Sequence, residues 1–416
     1  MTPEQNNLLT RVEGNAPMGA LMRQHFWIPF TLSTQLEAGG APMRARVLGE
    51  DYVAFRAEDG RIGFLDERCP HRGASLVLAR SEGCVLRCIF HGWAIDVEGQ
   101  VVEAATHAPN PEEFAARIKM RRYPTVEAGG LVWVFLGEGE PPARPDLPFA
   151  NVPPENVWVS ATRVDCNWLQ GVEGTLDSAH VGTLHKSWIE RTVKGGQTGI
   201  AKALDMLAPR YEVELTDYGI RAAALREMKD GSTFLRVTEH VAPFVSLVPS
   251  TSREDGNFFI ACPVDDTHHI LFFGHFSPTE PMNLDAPRIA LHINDPDVDI
   301  GNLGRFDGGR DDNWGQDRKA MEEGHFTGFT RTLLQEDVVV QVSMGPIADR
   351  SKDHLSSSDV AIAQLRAFLL RAVNAQLEGR HPLRNGPVKS YARVQPVQAL
   401  LPPGSDWRSP EAVETV

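Results

Sequence analysis

Between residues 43 and 134, the hydrophobic positions occur in short runs separated by turn residues, a pattern that predicts a β-rich N-terminal region. A first hairpin is expected around the turn sequence Glu58-Asp59-Gly60. The predicted strands are residues 47–56, 62–65, 93–97, 100–103 and 131–136. The last of these runs is apolar throughout, as expected of a buried strand.

A proline-rich segment at residues 137–154 follows these strands. Its six prolines cannot continue a helix or complete a strand ladder, so we expect a boundary there between domains 1–150 and 151–416. The elements predicted beyond it are a helix at 167–185, strands within 211–273 (including 244–248 and 258–262), a long surface loop at 294–315 and an amphipathic helix at 358–377. An all-β domain followed by an α+β domain is therefore predicted.

Composition and charge narrow the possible functions. The 55 acidic residues outnumber the 41 Lys and Arg residues, giving a formal net charge of −14, which disfavours binding to nucleic acid or to anionic lipid. The first nine residues are mostly polar, which predicts no secretory signal, and no apolar run is long enough to span a bilayer. Five scattered cysteines do not suit a disulfide scaffold. A soluble, cytoplasmic protein is expected.

Two Cys/His pairs form the first chemical motif. Cys69 is followed two positions later by His71, and Cys88 is followed three positions later by His91. Four such ligands suit tetrahedral zinc or an iron–sulfur cluster. Each pair offers one thiolate and one imidazole, which favours a Rieske [2Fe–2S] centre, where one iron takes two cysteines and the other two histidines. Zinc remains the alternative, and Cys84, between the pairs, is predicted to be a small buried hydrophobic residue.

A second motif lies in the predicted helix at 167–185. Residues five apart on a regular helix point about 140° away from each other, so His180 and His185 can share a metal only if the helix ends or loosens, which we expect near Val181 and Gly182. Asp177 precedes His180 by about one turn and can hydrogen-bond its free ring nitrogen.

Both motifs resemble those of a known family. Cys69-Pro70-His71-Arg72-Gly73-Ala74 and Cys88-Ile89-Phe90-His91-Gly92-Trp93 resemble the Rieske loops of ring-hydroxylating oxygenases, and Asp-x-x-His-x-x-x-x-His resembles their mononuclear iron motif. The resemblance implies that His180 and His185 bind iron and that Asp177 carries electrons to this site from a cluster, through His91 of the partner subunit. It implies Asp337 as the third iron ligand, with Glu336, Asp349 and Asp359 as competitors.

Segments 312–318, 343–350 and 354–355 resemble the phthalate dioxygenase-type branch. This resemblance implies an N-terminal Rieske domain, then a helix-grip (START-like) catalytic domain with a central antiparallel sheet. It implies a homotrimer or a dimer of trimers without a β subunit. Electrons would come from NAD(P)H through a separate flavin/iron–sulfur reductase, because the chain has no dinucleotide-binding glycine motif of its own.

The implied reaction is O₂-dependent hydroxylation of an aromatic acid, a phthalate-like cis-dihydroxylation. The alternative within the family is a monooxygenase that removes O- or N-alkyl groups or cleaves diaryl ethers. An electron-transfer protein and a zinc-stabilised binding module are alternatives from other classes. Arginines that could anchor a substrate carboxylate are Arg210, Arg221, Arg226 and Arg236, the last being favoured by its apolar neighbours.

Overall fold

The computed structural model describes residues 1–194, 199–249, 255–282, 288, 291, 293 and 295–408. The chain divides into two compact units, Val12–Arg144 and Met1–Arg11 with Pro145–Val416. The division after Arg144 lies inside the proline-rich segment. The sequence predicts residues 1–11 as part of the first domain, but they group with the second unit, where Asn6 donates a hydrogen bond to the carbonyl of Ala348 at 3.0 Å.

The first unit is built from short antiparallel strands. Its helices are α2 (Pro17–His25) and α3 (Pro111–Ala115), and its strands are β1 (Ile28–Leu32), β2 (Met43–Val47), β3 (Glu50–Arg56), β4 (Ile62–Asp66), β5 (Arg80–Glu82), β6 (Val85–Arg87), β7 (Ala94–Asp96), β8 (Val101–Glu103), β9 (Thr125–Ala128) and β10 (Leu131–Val134). They form three sheets, in the orders β1-β10-β9, β2-β3-β4 and β5-β6-β7-β8. The strand predicted at 47–56 begins at Glu50, because Leu48 and Gly49 have φ of 50° and 85° and form the turn after β2.

The second unit contains one large antiparallel sheet. Its strands are β11 (Val157–Val164), β12 (Arg210–Leu215), β13 (Gly219–Glu227), β14 (Thr233–Val241), β15 (Val245–Pro249), β16 (Gly256–Pro263), β17 (His269–Phe276) and β18 (Val397–Leu401). The order is β11-β17-β16-β15-β14-β13-β12. One edge of β14 is shared, because β18 pairs with residues 233–237 and β15 pairs with residues 239–241.

The second unit also contains helices. They are α1 (Pro3–Thr10), α4 (Trp168–Leu176), α5 (Val181–Leu184), α6 (Lys186–Lys194), α7 (Lys202–Asp205), α8 (Arg318–Glu322), α9 (Leu333–Ser343) and α10 (Val360–Leu377). α4 packs on β15 and β16, whereas α10 packs on β12 and β13. No helix among the described residues is long and apolar enough to cross a membrane.

α4 is fixed from both sides. On the sheet side, a side chain at Gly171 would place its Cβ 2.7 Å from both Ala261 and His269, so only glycine permits this close approach. On the other side, Glu173 pairs with Arg350 at 2.8 Å and with Arg366 at 2.7 Å. The position of the helix end, where the second motif begins, is set by these contacts.

The predicted helix at 167–185 is interrupted earlier than expected. The chain leaves the helical conformation at Asp177 (φ −78°, ψ 109°), and α5 begins only after His180. The Asp177 carboxylate accepts a hydrogen bond from the N–H of Ala179 at 2.7 Å, and the N–H of Ser178 donates to the Tyr211 hydroxyl at 2.7 Å. These bonds compete with the helical pattern, so the break precedes Val181 and Gly182.

The segment predicted as a surface loop at 294–315 is partly buried. Asn294 lies outside the described residues. Val298 and Leu303 pack in a hydrophobic cluster with Val164 and Val338, because this segment runs against β11 and α9. The segment also contains short 3-10 helices at Ile300–Asn302 and Arg310–Gly315, so the predicted loop is partly helical, and its predicted surface location is wrong for these apolar side chains.

Candidate metal centres and substrate cavity

The two Cys/His loops of the first unit share one backbone design. The N–H of Cys69 donates to the carbonyl of Ala74, and the N–H of Cys88 donates to the carbonyl of Trp93, both at 2.8 Å. Four positions after each cysteine, a glycine with φ of 75° or 72° closes the turn. Glycine adopts this positive φ readily, whereas most other residues do not. The turn at each glycine makes the loop fold back, so that its cysteine and histidine lie on one side.

The side chains of these loops converge. The Cys69 and Cys88 thiols are close enough to interact, and the imidazole rings of His71 and His91 have their centroids 4.4 Å apart. His71 Nδ1 is buried and has no hydrogen-bond partner among the described residues. Such an orphaned nitrogen costs free energy unless a ligand takes it up. Two thiols and two imidazoles, one of them with an orphaned nitrogen, fit a Rieske [2Fe–2S] cluster.

A second cluster of metal-binding side chains lies at the end of α4. His180, His185 and Asp337 can place one ligand atom each within 4.8 Å of the others. Asp337 Oδ1 is 3.5 Å from His180 Nε2 and 3.2 Å from His185 Nε2. The break at Asp177 and the short helix α5 turn both imidazoles toward α9, which carries Asp337. Two imidazoles and one carboxylate with open space beside them fit mononuclear iron.

Glu336 occupies a different place from Asp337. Its Oε2 lies 2.8 Å from Nδ1 of His185, on the ring side that faces away from the cluster, and its Oε1 accepts a 2.5 Å hydrogen bond from Thr327. A carboxylate behind a ligating histidine fixes its orientation and tautomer. The other two competitors do not join the cluster, since Asp349 pairs with Lys352 and Asp359 accepts hydrogen bonds from Ser356.

Asp177 lies beside His180, with its Oδ2 3.5 Å from His180 Nδ1. Tyr211 Oη is 3.4 Å from the other carboxylate oxygen. Burial alone raises the pKa of Asp177, but the hydrogen bonds from His180 and the N–H of Ala179 outweigh it and hold this pKa below the usual value. Asp177 is therefore an anion at neutral pH.

A cavity of about 310 Å³ opens beside the three clustered residues. Its wall is mostly apolar and includes Trp188, Phe259, Leu271, Phe273 and Leu333. Polar groups away from the cluster include Arg236, Asn257 and His275. An apolar space with a few polar groups near a metal site is the usual form of a small-molecule binding site.

Of the four arginines predicted as possible substrate anchors, Arg236 lines this cavity. It is 7% exposed and donates hydrogen bonds to Gln398 Oε1 and to the carbonyl of Pro249. Among the described residues it has no carboxylate partner. Burial lowers the pKa of Arg236 to about 9, so the guanidinium remains a cation at neutral pH.

The other three predicted arginines do not reach the cavity. Arg226 is fully buried, but it donates to the carbonyls of Ser178 and Met206. Arg221 pairs with Glu239 at 2.9 Å, and Arg210 is exposed and pairs with Glu212. Their existing partners and positions do not support a role in anchoring substrate.

Comparison with known proteins agrees with this geometry. Residues 26–124 match the family described as "Rieske [2Fe-2S] domain", and residues 134–416 match "LigXa C-terminal domain like". The oxygenase subunit of phthalate 4,5-dioxygenase from Pseudomonas putida is 38% identical, over 99% of this chain and 95% of that protein. The oxygenase subunit of 3-chlorobenzoate-3,4-dioxygenase from Comamonas testosteroni is 32% identical, over 98% of this chain and 96% of that protein.

The chain belongs to the Rieske non-haem iron oxygenases. Its fold is also that of a solved structure, the terminal oxygenase of carbazole 1,9a-dioxygenase from Novosphingobium sp. KA1, with a TM-score of 0.56 at 21% identity over 88% of this chain and 94% of that one. The predicted α+β fold, the Rieske domain and the oxygenase class are confirmed. A zinc-stabilised module and a simple electron carrier are set aside.

This Rieske oxygenase carries a [2Fe–2S] cluster and a mononuclear iron site, and receives electrons that originate from NAD(P)H through a reductase. The sequence analysis missed Tyr211, Asn257 and His275, which surround Asp177 and the cavity. The alternation of residues along β16 and β17 could have indicated two of them, because Asn257 and His275 lie on the same face of the sheet as Phe259 and Phe273.

Proposed function

We propose that this oxygenase hydroxylates an aromatic carboxylic acid whose carboxylate is bound by Arg236. The observation that carries the proposal is a buried guanidinium, without a carboxylate partner among the described residues, in the wall of an apolar cavity beside His180, His185 and Asp337. A buried cation without a counter-ion is costly, and a bound carboxylate would relieve that cost. The names of relatives that act on phthalate and 3-chlorobenzoate support the same substrate class.

The roles of the metal-binding residues are part of the proposal. Cys69, His71, Cys88 and His91 would hold the [2Fe–2S] cluster, and His180, His185 and Asp337 would hold the mononuclear iron. When bound, these groups would supply electron storage and O₂ activation. In this proposal, Asp177 passes electrons between His180 and His91 of the partner subunit.

The remaining residues of the cavity bind and orient the substrate. Arg236 fixes the carboxylate, while Phe259, Phe273 and Leu271 exclude water and hold the ring. Fixing a reactant in one orientation lowers the entropic part of the reaction barrier. Hydroxylation at one ring position would follow from this fixed orientation.

Removal of an alkyl group from an aromatic ether or amine is the second candidate reaction, together with diaryl-ether cleavage. The match of residues 134–416 to the LigXa-type domain favours it, as does 27% identity to the oxygenase subunit of 5,5'-dehydrodivanillate O-demethylase from Sphingobium sp.. The same metal-binding residues would serve both reactions.

The proposal includes the partners and the assembly. Electrons would come from a separate flavin/iron–sulfur reductase, and the oxygenase would form a homotrimer or a dimer of trimers without a β subunit. A pairing of Asp177 with His91 of the partner subunit requires such an assembly. Cytoplasmic location stays a prediction from the sequence.

A single turnover of the reduced enzyme under ¹⁸O₂ tests the function. Aromatic carboxylates and methoxy-substituted aromatic acids are supplied, and the products are analysed by mass spectrometry. A diol with two labelled oxygens supports dihydroxylation, whereas one labelled oxygen with release of a one-carbon aldehyde supports dealkylation. Arg236→Gln should weaken binding of every carboxylate, and unchanged binding would contradict the proposed anchor.

A further inference from the structure

Asn257 and His275 form a polar pair in the cavity wall. They face each other across β16 and β17, with Asn257 Oδ1 2.8 Å from His275 Nδ1. An amide oxygen can only accept a hydrogen bond, so Nδ1 of His275 carries the hydrogen. In the neutral ring, Nε2 is then an acceptor without a hydrogen.

The surroundings keep the ring of His275 neutral. Burial lowers the pKa of His275 despite the opposing effect of Asp255. The Asp255 carboxylate lies 4.0 Å from His275 Nε2, and both residues line the cavity. A hydrogen-bond donor on a molecule in the cavity can therefore pair with Nε2 of His275.

We infer that the substrate carries, besides the carboxylate bound by Arg236, a hydroxyl or amino substituent that donates a hydrogen bond to Nε2 of His275. This inference rests on the proposed function, because it concerns a second position on the same bound acid. In the sheet order, β15 and β16 separate β14, which carries Arg236, from β17, which carries His275. The two groups therefore contact different positions of the ring.

The inference disfavours a second carboxylate at this end of the cavity. A carboxylate there would face an imidazole nitrogen that has no hydrogen to donate. Burying a carboxylate without a hydrogen-bond donor is costly, so a benzene dicarboxylate should bind less well than a hydroxylated or aminated monocarboxylate.

Binding of small acids to the holoenzyme tests this inference. Isothermal titration calorimetry would compare hydroxybenzoates and aminobenzoates with methylbenzoates, which have a methyl group of similar size, and with benzene dicarboxylates, at the ortho, meta and para positions. At one ring position the donor should improve affinity about tenfold over methyl, as one well-formed hydrogen bond allows.

His275→Phe removes the acceptor and keeps a ring of similar size. The preference for the donor should disappear in this variant and persist in the matched control His354→Phe, whose residue is exposed and does not line the cavity. If His275→Phe does not fold, the wild-type comparison of the three classes of acid decides alone.

The outcomes separate this inference from the proposed function. If Arg236→Gln weakens binding of the acids but no ring position prefers a donor, or the preference survives in His275→Phe, the inference is wrong and the proposed function stands. Tighter binding of a dicarboxylate than of all donor-substituted acids also overturns the inference. If no aromatic acid binds, or Arg236→Gln has no effect, the proposed function itself is wrong.

Discussion

Glu336 and Asp337 are consecutive residues of α9, yet their carboxylates approach the two different ring nitrogens of His185. Glu336 Oε2 lies 2.8 Å from Nδ1, and Asp337 Oδ1 lies 3.2 Å from Nε2. Successive helix positions point about 100° apart, which lets one turn of α9 contact both edges of the ring. The two carboxylates therefore have different expected effects when each is changed.

Asp337→Asn should abolish binding of the mononuclear iron, because it removes the only anionic group of the three clustered residues. Iron analysis should show the loss of one atom per subunit with an unchanged Rieske absorption spectrum. Glu336→Gln should retain the iron but bind it about 10–100-fold more weakly, as is typical when a group behind a ligating histidine is altered. Equal iron content and affinity in both variants would contradict the assigned difference.

Asp177→Asn keeps the size of the side chain but removes its charge. We expect an unchanged Rieske spectrum and unchanged iron content, with oxidation of the reduced cluster in the presence of substrate and O₂ slowed by about tenfold or more. Stopped-flow absorbance of the cluster measures this rate. Ser178→Ala, at the neighbouring position, is the control, and wild-type rates in Asp177→Asn would show that the bridge assignment is wrong.

Arg226→Met should affect stability rather than substrate affinity. Arg226 donates hydrogen bonds to the carbonyls of Ser178 and Met206. Its loss leaves these acceptors unpaired, which lowers the free energy of unfolding by about 1–3 kcal/mol for each unpaired carbonyl. Urea denaturation should show the loss, while calorimetry of the folded variant should show unchanged binding of aromatic acids. A selective loss of acid binding would restore Arg226 as a substrate anchor.

His240 gives the protein a defined dependence on pH. It is fully buried on β14, neither ring nitrogen has a partner among the described residues, and burial lowers its pKa to about 3. Below pH 6.5 the unfolded chain binds a proton at this residue and the folded chain does not. The contribution of His240 to the free energy of unfolding is therefore complete above pH 6.5. As the pH falls from 6.5 toward 3, the free energy of unfolding decreases by about 1.4 kcal/mol per pH unit.

The variant His240→Phe checks this effect. The difference in unfolding free energy between wild type and variant should change with pH between about 6.5 and the onset of acid unfolding, because the variant lacks the titrating ring. Urea denaturation at several pH values measures it. A difference that stays constant over this range would mean that His240 is protonated in the folded protein.

The sequence predicted features that depend on short spacing. The convergence of Cys69 and Cys88 follows from two local loops of the same design, and Arg221 and Arg226 differ in strand parity, which places them on opposite sheet faces. Parity does not say which face is the cavity, so Arg226 and Arg236 could not be ranked by it. Their difference depends on whether Ser178 or open space lies opposite the guanidinium.

Long-range packing accounts for what the sequence could not show. Glu336 and Asp337 are equally acidic neighbours, and only the angle at which α9 passes His185 distinguishes them. Residues 180 and 185 seemed incompatible with one regular helix, and the hydroxyl of Tyr211, more than thirty positions away, helps to interrupt it earlier than Val181 and Gly182. Such partners cannot be found from local composition.

The pairing of β18 with one edge of β14 links the C-terminal strand to the selectivity for acids but not to the oxygen chemistry. Gln398 of β18 accepts a hydrogen bond from Arg236, so the orientation of the proposed carboxylate anchor is set by a strand near the C-terminus. The proposed iron ligands flank α5 or lie on α9, and among the described residues no hydrogen bond joins them to β18. Substitutions in the last strand should therefore retune which acids are accepted while leaving oxygen chemistry intact, which makes β18 a starting point for redesigning selectivity.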